Sequence, residues 1–172
     1  MEEKLLRLGL QTFFVSKEIS RCPLIPEIQS MSKKLSSSKT YEKNRWVISI
    51  RYGKRMIISI NTSHMVNLQK EDFVEVVDYD PVKKTALVIG VRESGPETLF
   101  HWLIYRARKD VNAIIHIQNN KNFEKLLRLE NIPVNNGKTP YTTLTGALDT
   151  LKVLKKMRLY YFKEQGVIGC WC

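Results

Sequence analysis

Residues 94–118 read SGPETLFHWLIYRARKDVNAIIHIQ, and this stretch says most about the fold because it predicts a helix followed at once by a buried strand. Apolar residues recur in its first half at mixed three- and four-residue intervals, the spacing that lines one face of a helix. They are Leu99, Trp102, Leu103 and Ala107. The second half, VNAIIHI, is a short apolar run typical of a buried strand.

The end of this strand carries the most informative polar pair. In a strand, residues two apart point to the same face, so His116 and Gln118 are expected to project side by side. A His-x-His pair at this place would be typical of a metal site. The sequence raises the question whether His-x-Gln still holds a metal.

The residues on either side predict the rest of the sheet. WVISIRYGKRMIISI (46–60) reads as a hairpin around Tyr52-Gly53-Lys54-Arg55, and DFVEVVDYD and TALVIGV read as a second pair of strands joined by DPVKK. Four consecutive strands with short turns indicate an antiparallel sheet. A closing strand is predicted in GVIGCWC.

Helical periods surround these strands. Besides the helix in 94–118, helices are predicted over 1–21, 26–35, 120–132 and 143–163. The expected fold class is α/β, with three α/β/α layers around a mainly antiparallel central sheet. The predicted organisation is an N-terminal helical extension, residues 1–22, and one domain, residues 23–172.

The charge of the chain favours anionic partners. Its 172 residues include 28 Lys and Arg against 17 Asp and Glu, a net charge of +11. Such an excess suits phosphorylated small molecules or nucleic acid, although the positive residues are scattered along the sequence and also fit a solvated basic surface. No apolar run approaches the length of a spanning helix, so no membrane association is expected.

The remaining composition points to the cytoplasm. The start, MEEKLLRLGLQTFF, lacks the order of a secretory signal. Cys22, Cys170 and Cys172 are too few for a disulfide framework, and no second ligand pair accompanies Cys170 and Cys172 at zinc-site spacing.

The 94–118 stretch resembles the core of the class II aldolase/adducin family, which reads approximately P-S-S-E-x-x-x-H-x-x-I-Y-x-x-R-P-D-V-x-A-I-I-H-x-H. The matches fall in register without a gap. The resemblance continues through RWVISIR, LQKEDFVEVVD and the final EQGVIGCW. It implies an α/β/α domain, a homo-oligomer that is usually a tetramer, and a divalent ion such as zinc held by three histidines.

The resemblance also assigns the metal ligands. His116 matches the first histidine, whereas Gln118 and Gln165 stand where the other two are expected. Because zinc prefers imidazole, thiolate or carboxylate to a neutral amide oxygen, this set is expected to bind zinc weakly. We therefore expect no cofactor, and if one is bound, we expect a weakly held divalent ion such as zinc at His116.

Glu97 matches the family's acid/base residue, but Ser94 to Glu97 also forms the S-x-x-E pattern of a helix capping box. His101 is expected to be a packed helix residue rather than a ligand.

The substrate-binding positions also depart from the family. Ser49 is retained, while Trp46-Val47 replaces Gly-Asn and Gly95-Pro96 replaces Ser-Ser, so Trp46 is expected to fill the phosphate site. The remaining candidate binding hydroxyls are those of Thr62, Ser63 and Ser94.

Three functions follow from these observations. The first is a degenerate family member that has lost zinc-dependent aldol cleavage and serves as a small-molecule-binding or assembly module. The second is a divalent-metal-dependent sugar-phosphate lyase or isomerase with a rebuilt site. The third is a basic nucleic-acid-binding module, suggested by aromatic residues beside cations. Those aromatic residues are Trp46, Tyr105, Tyr160 and Tyr161.

Overall fold

The fold is that of a computed structural model that describes residues 9–36, 45–60, 67–118, 134–135, 139–154, 159–162 and 166–171. Within these residues nine strands form one sheet in the order β1-β5-β4-β3-β2-β6-β9-β8-β7. The strands are β1 (Gln11–Ser16), β2 (Trp46–Tyr52), β3 (Arg55–Ser59), β4 (Phe73–Asp80), β5 (Thr85–Ile89), β6 (Ala113–Ile117), β7 (Val134–Asn135), β8 (Leu159–Phe162) and β9 (Gly166–Trp171).

The sheet is mainly antiparallel, as predicted. Among the described strands, six of the eight pairings are antiparallel, and the parallel ones are β1 with β5 and β7 with β8. The hairpin of β2 and β3 turns through Gly53, whose φ of 61° suits the first loop residue of a two-residue turn. Glycine adopts this left-handed backbone without the steric cost that a Cβ imposes.

Helices cover both faces of the sheet. They are α1 (Ile25–Ser36), α2 (Thr98–Ala107) and α3 (Leu144–Leu154), with a short 3-10 helix at Lys70–Asp72. One core lies between the sheet and the pair α2 and α3, and the other lies between the sheet and α1. The three-layer prediction is therefore confirmed, and the alternation of side chains along β2 shows why. Val47 faces the α2 side, whereas Trp46 and Ile48 face the α1 side.

Two of the helix predictions are wrong in part. Gln11–Ser16 is a strand that pairs with β5, and its Thr-Phe-Phe-Val run has the β-branched and aromatic residues that favour an extended chain. The helix predicted over 143–163 ends at Leu154, and Leu159–Phe162 is a strand paired with β9. Residues 1–8 and the helix predicted over 120–132 lie outside the described residues.

The other elements agree with the sequence. Their observed bounds lie within a few residues of the predicted ones. These elements are both hairpins, the helix after Pro26, the helix and strand in 94–118, and the closing strand. In the described part of the chain, no helix has both the length and the apolar character needed to cross a membrane.

Candidate active site

The candidate site lies where the start of α2 meets the end of β6. α2 begins at Thr98, directly after Glu97, and the His101 amide donates to the Glu97 carbonyl at 3.1 Å, so these two residues are one helical turn apart. β6 brings His116 beside β2, where it pairs with Val47, and Gln118 follows on the same face. Glu97, His101 and His116 are all buried.

Gln118 is bonded directly to the buried carboxylate of Glu97. Its Nε2 donates to Glu97 Oε1 at 2.8 Å, and Glu97 is only 1% exposed. A hydrogen bond to an ionised acceptor is stronger than a neutral one, and it offsets part of the cost of burying the carboxylate. The residue expected at the second ligand position therefore supplies a donor to the residue expected to be the acid/base.

A second buried cluster joins β2 to α2. Ser49 Oγ lies 2.8 Å from His101 Nδ1 and 2.9 Å from the Tyr105 hydroxyl. Nε2 of His101 has no hydrogen-bond partner among the described residues. Burial, with a smaller contribution from His116, holds the pKa of His101 well below its ordinary value, so its imidazole is neutral.

The ring of Tyr141 closes the site from the segment before α3. It meets His116 edge to face at a centroid separation of 4.8 Å, and the rings of His101 and His116 are 6.0 Å apart. Burial, followed by the charge of Glu97, raises the pKa of the Tyr141 hydroxyl. Tyr141 therefore remains protonated and gives this side of the site an aromatic wall.

These residues do not make a zinc site. Gln118 turns its amide nitrogen, which has no lone pair to offer a metal, toward Glu97. In the described ranges, no group of three or more His, Cys, Asp or Glu side chains is arranged to hold a metal ion. The donor set of one imidazole and amide groups is also poorly matched to zinc. The residues at the ligand positions therefore do not fit a resident zinc ion.

The predicted binding residues are not all brought together. Ser49 lies inside the site, but it is fully buried, and its hydroxyl is hydrogen-bonded to His101 and Tyr105 rather than open to a ligand. Ser94 is also buried, and its hydroxyl lies 3.4 Å from that of Thr12 on β1. Thr62, Ser63 and Gln165 lie outside the described residues.

One sequence interpretation is corrected here. The capping-box interpretation fails because α2 begins at Thr98 and Glu97, its N-cap, makes no capping hydrogen bond with its side chain. Trp46, which is expected to fill the phosphate site, packs in the core on the α1 side of the sheet, and its effect on phosphate binding stays a prediction. Strand alternation explains this result, since Trp46 is the neighbour of Val47, the residue that pairs with His116.

Comparisons with known proteins identify the family of this chain. The model of the class II aldolase and adducin N-terminal domain matches residues 27–122, which is more than half of the chain. The chain therefore belongs to this family. No curated protein sequence matches it.

Solved structures share the fold at low sequence identity. An L-fuculose 1-phosphate aldolase is 17% identical, with a TM-score of 0.70 over 89% of this chain and 77% of that one. The L-fuculose-1-phosphate aldolase of Thermus thermophilus is 19% identical, with a TM-score of 0.68 over 87% and 80%. A sugar-phosphate aldolase of Thermotoga maritima is 14% identical, with a TM-score of 0.59 over 84% and 83%.

Sequence reasoning missed three parts of the site. They are the Gln118–Glu97 bond, the Ser49 contacts and the contact of Tyr141 with His116. Each joins residues more than 20 positions apart. Tyr141 had no clear local signal in the sequence. The other two depend on how α2 packs against the sheet, which the sequence does not reveal.

Proposed function

We propose that this protein is a binding module built on the class II aldolase fold and that it does not carry out zinc-dependent aldol cleavage. The observation that supports the proposal is the hydrogen bond from Gln118 to Glu97. Aldol cleavage needs a cation that spreads the charge of an enediolate onto oxygen, and a base whose carboxylate is available. Here the ligand position is occupied by an amide, and that amide holds the carboxylate.

The buried groups that remain are suited to recognition. Glu97 is an acceptor, neutral His101 has one ring nitrogen without a partner in the described part of the chain, and Tyr141 presents an aromatic surface. A small polar ligand can satisfy such groups without a chemical step. In this proposal Glu97 and His116 bind and orient rather than transfer protons. A homo-oligomer, an anionic ligand and a cytoplasmic location remain predictions of the same proposal.

Metal content and cleavage activity test the proposal together. Protein purified without chelator is analysed for zinc and other divalent metals, and is then assayed for cleavage of L-fuculose 1-phosphate and a panel of other phosphorylated ketoses. We expect far less than one metal ion per chain and no cleavage above the rate without protein. His116→Ala serves as the matched variant for any metal that is found.

The rebuilt-site enzyme gives the opposite result. One metal ion per chain that is lost in His116→Ala, or cleavage that is lost in Glu97→Gln, would overturn the proposal. Metal without cleavage would also contradict it, because the proposed module has no ligand set for a resident ion.

A further inference from the structure

A basic cleft lies at the end of the sheet away from the candidate site. It has a volume of about 530 Å³ and is formed by the β2–β3 turn and the C-terminal end of α2. Its cationic lining residues are Arg51, Lys54, Arg55, Arg106 and Lys109. Val47, which pairs with His116, is six positions before Gly53 in the turn, a span of about 20 Å along an extended strand.

The arginines of this cleft are held in place. Arg51 donates from Nε to the Val111 carbonyl at 2.9 Å and from Nη2 to those of Tyr105 and Arg108 at 3.1 and 2.8 Å. Carbonyl oxygens fix a guanidinium but carry no net charge, so they do not cancel its positive charge. Arg106 lies over the ring of Trp102 at 4.2 Å, which orders its guanidinium in the same way.

The lysines of the cleft are available. Lys54 and Lys109 are exposed, and no hydrogen bond or ion pair of their side chains occurs among the described residues. Of the five cleft cations, only Arg55 has an acidic partner among the described residues, since its Nη1 lies 2.6 Å from Glu75 Oε1. Most of the positive charge around the cleft is therefore uncompensated, and the side chains of Lys54 and Lys109 can move to contact a ligand.

The shape of the cleft argues for a compact ligand. Its volume falls in the range of small-molecule sites. Single-stranded nucleic acid needs exposed aromatic rings on which bases stack. Trp102 and Tyr105 are only 4% and 5% exposed, and Arg106 covers the Trp102 ring. Trp46 and Tyr105, which suggested stacking in the sequence, are both buried.

We propose that this basic cleft is a second binding site, separate from the candidate active site, and that it takes a small molecule carrying two or more phosphate charges. The fixed guanidinium groups provide positive charge and the N–H donors that carbonyl oxygens do not occupy, and the two lysines provide mobile point charges. This inference does not depend on the loss of zinc chemistry, because the cations that carry it lie outside the candidate site and because it is tested by binding rather than by activity.

Calorimetric titration tests the proposal with two probes, inorganic pyrophosphate and ADP. The binding variant is Lys54→Ala/Lys109→Ala, and the matched control is Lys33→Ala/Lys70→Ala, which removes two exposed lysines that do not line the cleft. We expect both probes to bind the wild type, and the Lys54/Lys109 variant to bind at least about tenfold more weakly, because charge-assisted hydrogen bonds are lost. Thermal melts establish that both variants remain folded.

Three results would overturn the proposal. The first is no heat of binding with either probe at millimolar concentration, and the second is equal weakening of binding in the two double variants. The third is that a random-sequence RNA binds in a way that depends on Lys54 and Lys109 while neither small probe binds. The last result would assign the cleft to a nucleic acid.

Discussion

The amide of Gln118 donates a 2.8 Å hydrogen bond to Oε1 of Glu97, a residue 21 positions earlier in the chain. This bond joins two positions that the family resemblance assigns to one metal-dependent active site. It explains how Glu97 can be buried, since the amide of Gln118 stabilises its carboxylate.

The first prediction concerns the stability of this pair. Gln118→Leu removes the donor and leaves the Glu97 carboxylate buried without it, so the free energy of unfolding should fall by about 1–3 kcal/mol. Urea unfolding measures the change. The double variant Glu97→Leu/Gln118→Leu should be more stable than Gln118→Leu alone, because no buried charge remains. Equal stability of the wild type and Gln118→Leu would show that the bond contributes nothing.

The second prediction is a gain of metal binding. Gln118→His/Gln165→His supplies imidazoles at both altered positions, and it should bind about one zinc ion per chain where the wild type binds far less. The position of Gln165 rests on the family resemblance. Metal analysis after dialysis gives the stoichiometry, and Gln69→His, which places a histidine at an exposed position, is the control. Equal zinc uptake by the control would rule out a specific site.

The third prediction concerns Ser49. Ser49→Ala removes the hydroxyl that lies between His101 Nδ1 and the Tyr105 hydroxyl, and it leaves two buried polar atoms without that partner. The free energy of unfolding should fall by about 1–3 kcal/mol. A double-mutant cycle with Tyr105→Phe separates the contributions of the two bonds. Additive losses in this cycle would mean that the Ser49–Tyr105 contact is not energetically coupled.

The fourth prediction is a loss of stability in acid. The pKa of His101 is lowered by burial, so below about 6.5 the unfolded chain takes up a proton that the folded protein does not. The contribution of His101 is complete above that pH, and it declines as the pH falls, by up to about 1.4 kcal/mol per pH unit. Urea unfolding between about pH 5 and 7.5 measures this slope. His101→Gln should reduce it, and an unchanged slope would assign the titration to another group.

The fifth prediction concerns packing beneath α3. A Cβ on Gly146 would clash with the Pro140 carbonyl oxygen and lie 2.9 Å from that of Thr139, and both are backbone atoms. Gly146→Ala should therefore destabilise the protein by about 1–3 kcal/mol, although alanine is the better helix former. Gly9→Ala is the matched control, since nothing lies within 4 Å of its added Cβ. Thermal unfolding compares the two, and equal melting temperatures would contradict the expected clash.

Local patterns in the sequence were enough to predict the central elements and the layers. The alternation in 46–60 and 72–91 and the helix-to-strand change in 94–118 are local signals, and short-range sterics and hydrophobic spacing are enough to read them. The 94–118 stretch also identified the family, whereas the assignment of Gln118 to an altered ligand position stays a prediction. Helix and strand signals compete in the Phe-rich β1 and in Leu159–Phe162. The sequence pattern indicated a helix in both, but pairing with a neighbouring strand made both segments strands.

What those residues do to one another depends on the tertiary structure. Side-chain alternation along β2 places Trp46 on the α1 side of the sheet. The packing of α2 against the sheet seals Ser49 against His101 and Tyr105, and it brings Glu97 to Gln118. Cations that are scattered in the sequence meet around one cleft because the β2–β3 turn and the end of α2 lie at the same end of the sheet. Hydrogen bonds and electrostatic fields act over a few ångströms in space, and neighbours in space are fixed by strand register and helix packing rather than by distance along the chain.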